Sequence, residues 1–260
     1  MTTTAELSAS FARDGAVVLR DVASPELLSR VERDVEENLA VPSELALVAS
    51  GGDDPGRFVE DFCNWQRFPA YVELARHVAP LVGAVMGSGS VRLYHDHLLV
   101  KEAGTRQRTP WHQDQPFYDV EGRHVVSMWM PLDAVPRATS LEMLAGSHLG
   151  PWLMPRTFMA EEAKWFPEGA LEEVPDIDAA RARGEQPRVL GWALEPGDAV
   201  LFHALELHSA PGATSRRRVL SLRFLGDDAT RVERRWRTSP PIPADATFPL
   251  LTGDLTPGPA

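Results

Sequence analysis

The residues best suited to chemistry are His112 and Asp114 in the run Trp111-His112-Gln113-Asp114, with His208 lying 96 positions further on. In a strand, residues i and i+2 project to the same face, so this spacing places an imidazole and a carboxylate side by side. A second imidazole from His208 completes two nitrogens and one oxygen on one side of a metal. Such a set leaves three positions of an octahedral iron(II) open for a bidentate cosubstrate and dioxygen, which is the chemistry of non-haem oxygenases. The pair alone does not define a site. With eight histidines and 37 acidic residues in 260 positions, about one His-x-acid triplet arises by chance.

These residues need strands to hold them, and the sequence supplies strands mainly in its second half. The opening reads as a short strand at 15–19, followed by a helix that Ser24 caps and Pro25 begins, with Leu27, Leu28, Val31 and Val35 at helical spacing up to about Ala40. After a Gly- and Asp-rich loop at 50–56, a second helix is expected over 69–86, burying Val72, Ala75, Val78, Ala79 and Val82. From Ser90 the pattern changes. Short apolar or alternating runs at 91–100, 124–130, 140–144, 189–194, 199–203 and 219–225 are separated by Gly, Pro and Asp turns. Many short strands with few helices between them predict a sandwich or jelly roll. The chain therefore reads as one domain, 1–260: a helical flank to about 88, a jelly-roll core at about 90–226 and a proline-rich tail from about 238. An insertion at about 155–188 is expected to carry helix and to act as a lid.

Composition narrows the partners. A net charge of −11 argues against nucleic acid and anionic membrane surfaces and leaves small molecules as the expected substrates. The arginine clusters at 216–218 and 231–237 read as solvated surface. Cys63 is the sole cysteine, which excludes an intrachain disulfide and a cysteine-based zinc site. No apolar run reaches the roughly 20 residues of a membrane span, and the polar start has no signal-like core, so a cytoplasmic location is expected. Oligomeric state leaves no mark in the sequence.

Two family patterns compete for the metal. Gly89, His95, His97 and Glu102 resemble the first motif of cupins, whose site would add His203 or His208, although the second cupin motif is poorly matched. The segment from His97 to Gly226 resembles the phytanoyl-CoA dioxygenase family more extensively. The matching pieces are Lys101, then Thr109-Pro110-Trp111-His112-Gln113-Asp114, the Trp129 strand, Gly146-Ser147-His148, Pro196-Gly197-Asp198, Phe202-His203, Leu207-His208 and the closing Arg217-Arg218-Val219-Leu220-Ser221. Departures are the missing Asn-Gly before the Ser147-His148 turn and Ala145 in place of its proline.

This resemblance implies a mainly β protein with flanking helices, built on a double-stranded β-helix. It implies iron(II) held by His112, Asp114 and His208, with 2-oxoglutarate and O2 as cosubstrates. The family's 2-oxoglutarate arginine falls on Arg217, or on Arg218 if the strand begins one residue later; a guanidinium pairs bidentately with a carboxylate. Trp129 matches a position that packs near the cosubstrate, His97 falls beside it, and Lys101 reads as structural. Because Asp114 is present, halogenation, in which chloride replaces that ligand, is not expected. The implied reaction couples decarboxylation of 2-oxoglutarate to oxidation, typically hydroxylation, of a small molecule, in keeping with natural-product tailoring. Phe117, Tyr118, Glu142 and the stretch 152–166 are candidates to line the substrate pocket. A cupin-type enzyme that does not use 2-oxoglutarate and an inactive binding protein of the same fold stand as alternatives.

Overall fold

The computed structural model describes residues 2–156 and 166–252. In chain order the elements are α1 (Thr4–Asp14), β1 (Ala16–Leu19), α2 (Pro25–Ala40), β2 (Leu47–Val48), β3 (Phe58–Phe62), α3 (Pro69–Met86), β4 (Val91–Lys101), β5 (Thr109–His112), β6 (Val120–Glu121), β7 (Val125–Pro131), β8 (Glu142–Leu144), α4 (Ile177–Ala182), β9 (Val189–Leu190), β10 (Ala199–His203), β11 (His208–Ala210), β12 (Arg217–Leu225), β13 (Thr230–Arg231) and β14 (Leu250–Thr252). The major sheet runs β1-β10-β7-β12-β4-β3-β2, with β14 added on β4, and the minor sheet runs β5-β11-β8-β9. All these pairings are antiparallel. Two such sheets form the expected double-stranded β-helix.

Strand alternation divides the major sheet into two faces. Val126, Met128, Met130, Leu201, Leu220 and Leu222 lie on one face and pack with Val31, Val35, Leu74 and Val78 of the helices. Trp129, Val200, Phe202 and Val219 turn the other way, toward Met143 and Ala210 of the minor sheet. The helices thus keep water off one face, and the second face is free to build a site. Helix α2 is capped as the sequence indicated, with Ser24 Oγ accepting from the Leu27 amide. Helix α3 spans 69–86 and ends at Gly87 in the left-handed conformation.

Three features depart from expectation. Helix α1 precedes the first strand; its cap, Thr3, exchanges hydrogen bonds with Glu6 in a capping box. Strand β3 pairs with β4 and extends the major sheet. The proline-rich tail adds a strand to the major sheet, since β14 docks on β4 at 250–252. Of the expected insertion, α4 is present, residues 157–165 lie outside the described residues, and so do the tail prolines Pro257 and Pro259. Among the described residues no helix is long and apolar enough to cross a membrane.

Candidate metal centre

Strands β5 and β11 lie side by side in the minor sheet, with His208 directly opposite His112. Opposed residues share a face, and the two imidazole rings stand 4.1 Å apart between centroids. Strand β5 ends at His112, and Asp114 has helical backbone angles at the start of a short 3-10 turn over 115–117. The carboxylate is therefore delivered by that turn and not by strand alternation. Amides of Asp114 and Gln115 both donate to the Ala204 carbonyl, at 2.8 and 2.9 Å, which fixes the turn against the loop that leads to His208. Gln113 points away and strengthens the same junction, donating to Leu205 O at 3.0 Å and accepting from the Leu153 amide at 2.7 Å.

Asp114 Oδ1 lies 3.5 Å from His112 Nε2 and 3.6 Å from His208 Nε2. Each imidazole holds its Nδ1 against a carbonyl, His112 on Pro110 O at 2.8 Å and His208 on Glu206 O at 2.9 Å. A carbonyl only accepts, so both Nδ1 atoms carry the proton and both Nε2 lone pairs face the carboxylate oxygen. The donor atoms of the three residues lie within 4.8 Å of one another. Two neutral imidazoles and one carboxylate, pre-set in tautomer, fit iron(II).

Electrostatics keep these groups in their metal-binding forms. Burial pushes the His208 imidazole down to about 3, with nearby His112 adding to the effect. For Asp114, burial opposes ionisation, but the Arg223 guanidinium offsets it and holds the carboxyl well below its ordinary range. Asp114 Oδ2, the oxygen turned from the imidazoles, accepts from Ser127 Oγ at 2.8 Å and meets Arg223 Nη2 at 3.4 Å.

A cavity of about 260 Å3 opens at the triad, and Trp129, Leu141, Phe202, Phe117, Tyr118 and Pro240 are among the residues that line it. Arg217 is buried at the start of β12, its guanidinium 5.7 Å from the Trp129 ring and bonded to the Thr139 and Pro211 carbonyls. Arg218 faces out and is held by Asp133 at 2.6 Å. Of the two arginines, Arg217 is the buried one and Arg218 is the one turned to surface carboxylates. Lys101 Nζ, also buried, is tied to the carbonyls of Gln107, Ala210 and Pro211, the structural role expected of it.

His97 and His95 line the cavity, but Glu102 of the cupin-like pattern does not; it pairs with Arg216 at 3.3 Å. His203 is likewise turned from the triad, its Nδ1 accepting from the Leu205 amide at 3.0 Å. Among the described residues the cupin ligands do not assemble. Phe117 and Tyr118 line the cavity as expected, whereas Glu142 is occupied by Arg108 and Arg181 at 2.6 and 2.9 Å. Trp152 and Phe166 line a separate surface depression with Trp236. Among the cavity residues that escaped the sequence reading, two are charged, Glu60 on β3 and Arg223 on β12. Arg223 left a signal, a lone cation inside the apolar run Val219 to Leu225.

This fold and this triad define a class, the non-haem oxygenases of the double-stranded β-helix type. The model of one family, phytanoyl-CoA dioxygenase (PhyH), matches residues 11–219, and the chain belongs to that family of dioxygenases. No curated protein matches the sequence significantly. Among solved structures, the epimerase SnoN in complex with Fe3+, alpha-ketoglutarate and nogalamycin RO aligns with a TM-score of 0.72 at 20% identity, covering 96% of this chain and 98% of its own. The alpha-ketoglutarate-dependent carbocyclase SnoK from nogalamycin biosynthesis aligns at 0.71 and 22% identity, covering 96% and 99%. EctD from S. alaskensis, solved with 2-oxoglutarate and 5-hydroxyectoine, aligns at 0.66 and 20% identity, covering 92% and 81%.

Proposed function

We propose that this chain is an iron(II)- and 2-oxoglutarate-dependent oxygenase that oxidises a C–H bond of a small molecule in natural-product tailoring. The observation that carries the reading is the convergence of His112, Asp114 and His208, with both Nδ1 protons fixed on carbonyls, at the floor of a buried cavity. When bound, the metal and cosubstrate supply the oxidising power, with 2-oxoglutarate consumed to succinate and carbon dioxide.

The chain's own residues then have separable tasks. His112, Asp114 and His208 hold the metal. Arg217 pairs with the distal carboxylate of 2-oxoglutarate, exchanging its two carbonyl contacts for a charge-assisted pair. Trp129 packs over that guanidinium and walls the cosubstrate from the apolar core. His97 stacks on Phe62 at 4.0 Å and contacts Arg223 and Glu60 with its two ring nitrogens, so we place it beside the substrate and not on the cosubstrate's carboxylate. The largely apolar walls exclude water from the reacting centre.

An acyl-CoA substrate is not favoured. The cavity is small, and Arg223, next to the metal ligands, is the one arginine or lysine in its lining among the described residues, so no basic cluster awaits a phosphate-rich carrier. The likeness to SnoN, an epimerase, and SnoK, a carbocyclase of nogalamycin biosynthesis, supports natural products as the substrate class. The assignment here is therefore the attack on a C–H bond, with the product type set by the substrate's placement. A substrate screen read by succinate release with iron(II), 2-oxoglutarate and ascorbate tests it. The account expects succinate above the uncoupled background with at least one neutral polycycle, and none from Asp114→Ala; equal release by that variant contradicts it.

A further inference from the structure

Beside the metal ligands the cavity carries a polar wall that the proposed chemistry leaves unused. It is built by register: Phe62 of β3 pairs with His97 of β4, and His95 of β4 pairs with Arg223 of β12. Glu60, His95, His97 and Arg223 all face the cavity and all are more than nine-tenths buried. Arg223 spends Nε on Tyr118 Oη at 3.1 Å and turns Nη2 to His97 Nδ1 at 3.3 Å, but its Nη1 has no partner.

The donor and acceptor roles along this wall follow from the contacts. A guanidinium only donates, so His97 Nδ1 accepts and its proton sits on Nε2, which faces Glu60 Oε1 at 3.2 Å out of hydrogen-bond alignment. His95 holds Nδ1 against Asp96 O at 3.2 Å, which leaves its Nε2 a bare acceptor without a partner. The wall therefore offers an unpaired N–H donor at Arg223 beside an unpaired acceptor at His95 and the buried Glu60 carboxylate, which faces His97 Nε2. Buried polar atoms without partners are costly in a folded protein, and a ligand that supplies the partners recovers that cost.

Charge decides which ligand. Iron(II) and Arg217 offset Asp114 and a dianionic cosubstrate, while Arg223 and Glu60 offset each other. A charged substrate would leave one buried charge uncompensated. At the rim, Leu47 and Val48 of β2 are about half exposed and line the same cavity, an apolar lip where an apolar body would rest.

We infer that Arg223, Glu60 and His95 recognise the substrate, and that it is a neutral, largely apolar molecule carrying a carbonyl next to a hydroxyl, the carbonyl accepting from Arg223 Nη1 and the hydroxyl donating to Glu60 or His95. This deepens the oxygenase reading and rests on it, since the wall is assigned to substrate because Arg217 is assigned to 2-oxoglutarate.

The test is calorimetric titration of the full chain, loaded anaerobically with iron(II) and 2-oxoglutarate, against bicyclic probes that differ in one group each. The expected order of affinity is 2-hydroxy-1-tetralone, then 1-tetralone, then tetralin, with anionic tetrahydro-2-naphthoate and cationic 2-aminotetralin weaker than the ketones. Arg223→Gln is expected to weaken the two ketones about 10- to 100-fold while leaving tetralin unchanged, the size of a lost hydrogen bond to a charged donor. Glu60→Gln and His95→Phe, neither of which alters a metal ligand, are expected between them to remove most of the preference for the hydroxyketone over the ketone, and retention of that preference in both variants would overturn the assignment of the hydroxyl. Equal binding of all neutral probes, absence of binding by the ketones, or a preference for the acid or the amine would overturn the inference. So would loss of 2-oxoglutarate binding in Arg223→Gln but not in Arg217→Gln, because Arg223 would then be the cosubstrate's arginine. Failure of the oxygenase reading shows separately, as a wild-type chain that does not bind 2-oxoglutarate with iron; the probe series is then run on the metal-free chain, where the same order and variant effects are expected.

Discussion

Removing a single hydroxyl, in Ser127→Ala, should loosen the metal without disturbing the three ligands. Ser127 is fully buried on β7, and its Oγ bonds Asp114 Oδ2 at 2.8 Å. The remaining contact to that oxygen, Arg223 Nη2 at 3.4 Å, is too long to take over the lost bond without movement. A hydrogen bond to a charged group contributes about 1.5–3 kcal/mol. A bound metal draws off part of the carboxylate's charge, so the lower half of that range applies, or about 10- to 45-fold in metal affinity. Ser221→Ala is the matched control. Ser221 is equally buried, but its Oγ donates to the Met128 carbonyl at 3.1 Å and does not reach Asp114. Anaerobic competition for iron(II) against a chromophoric chelator gives the affinities, and thermal unfolding confirms that both variants fold. A metal affinity in Ser127→Ala within twofold of wild type, or an equal loss in Ser221→Ala, would refute the argument that Ser127 orients the carboxylate.

Arg217→Gln should raise the dissociation constant for 2-oxoglutarate about 100-fold, the size of a bidentate charged pair, with iron affinity retained; Arg218→Gln should leave it unchanged because Arg218 faces Asp133, and titration of the iron-loaded protein distinguishes the two. Burial pushes His203 down to about 4, with His148 adding to the effect, and its Nδ1 must stay unprotonated to accept from Leu205. The unfolded chain, with an ordinary histidine near 6.5, therefore binds more protons below neutrality, so the contribution of His203 to stability is full above about 6.5 and falls as pH drops toward 4, by about 2 kcal/mol at pH 5, with buried His208 adding to the loss. Urea unfolding at pH 7 and pH 5 should show this loss, and His203→Gln should reduce it. Lys101→Met should leave the Gln107, Ala210 and Pro211 carbonyls without their donor, costing about 3 kcal/mol and lowering the melting temperature by roughly 6–12 °C in calorimetry.

What the sequence revealed depended on whether local pattern and final environment agreed. Helices α2 and α3 carry a clear apolar period and a cap or terminal glycine, so their limits were legible almost to the residue. The triad was legible because two short motifs bracket an ordered series of turns and strands. Its geometry was less so: strand alternation pairs His112 with Asp114 for a reason the structure replaces, since β5 stops at His112 and a turn anchored on Ala204 delivers the carboxylate. Strand β3 was hidden because Phe58-Val59-Glu60-Asp61-Phe62 puts two acids in five residues. Only tertiary partners make them strand residues, Asp61 being satisfied by Asn38 at 2.8 Å and by the Ser43 amide at 2.9 Å. Glu142 was misplaced for the opposite reason, because a lone acid near a site looks available until Arg108 and Arg181 are seen to claim it. Gly15 shows the limit of local reading. Its positive φ ends α1, and an added Cβ would fall 2.0 Å from Glu206 Oε2, in the loop whose carbonyl orients His208.

The most direct measurement is anaerobic titration of the metal-free chain with iron(II) and then 2-oxoglutarate, followed by visible absorption. A weak iron-to-2-oxoglutarate charge-transfer band is expected, saturating at one equivalent of each. Substitution of His112, Asp114 or His208 by alanine is expected to abolish the band while His95→Ala preserves it. No band with the wild-type chain, or one that persists without Asp114 and vanishes without His95, would contradict the proposed iron site.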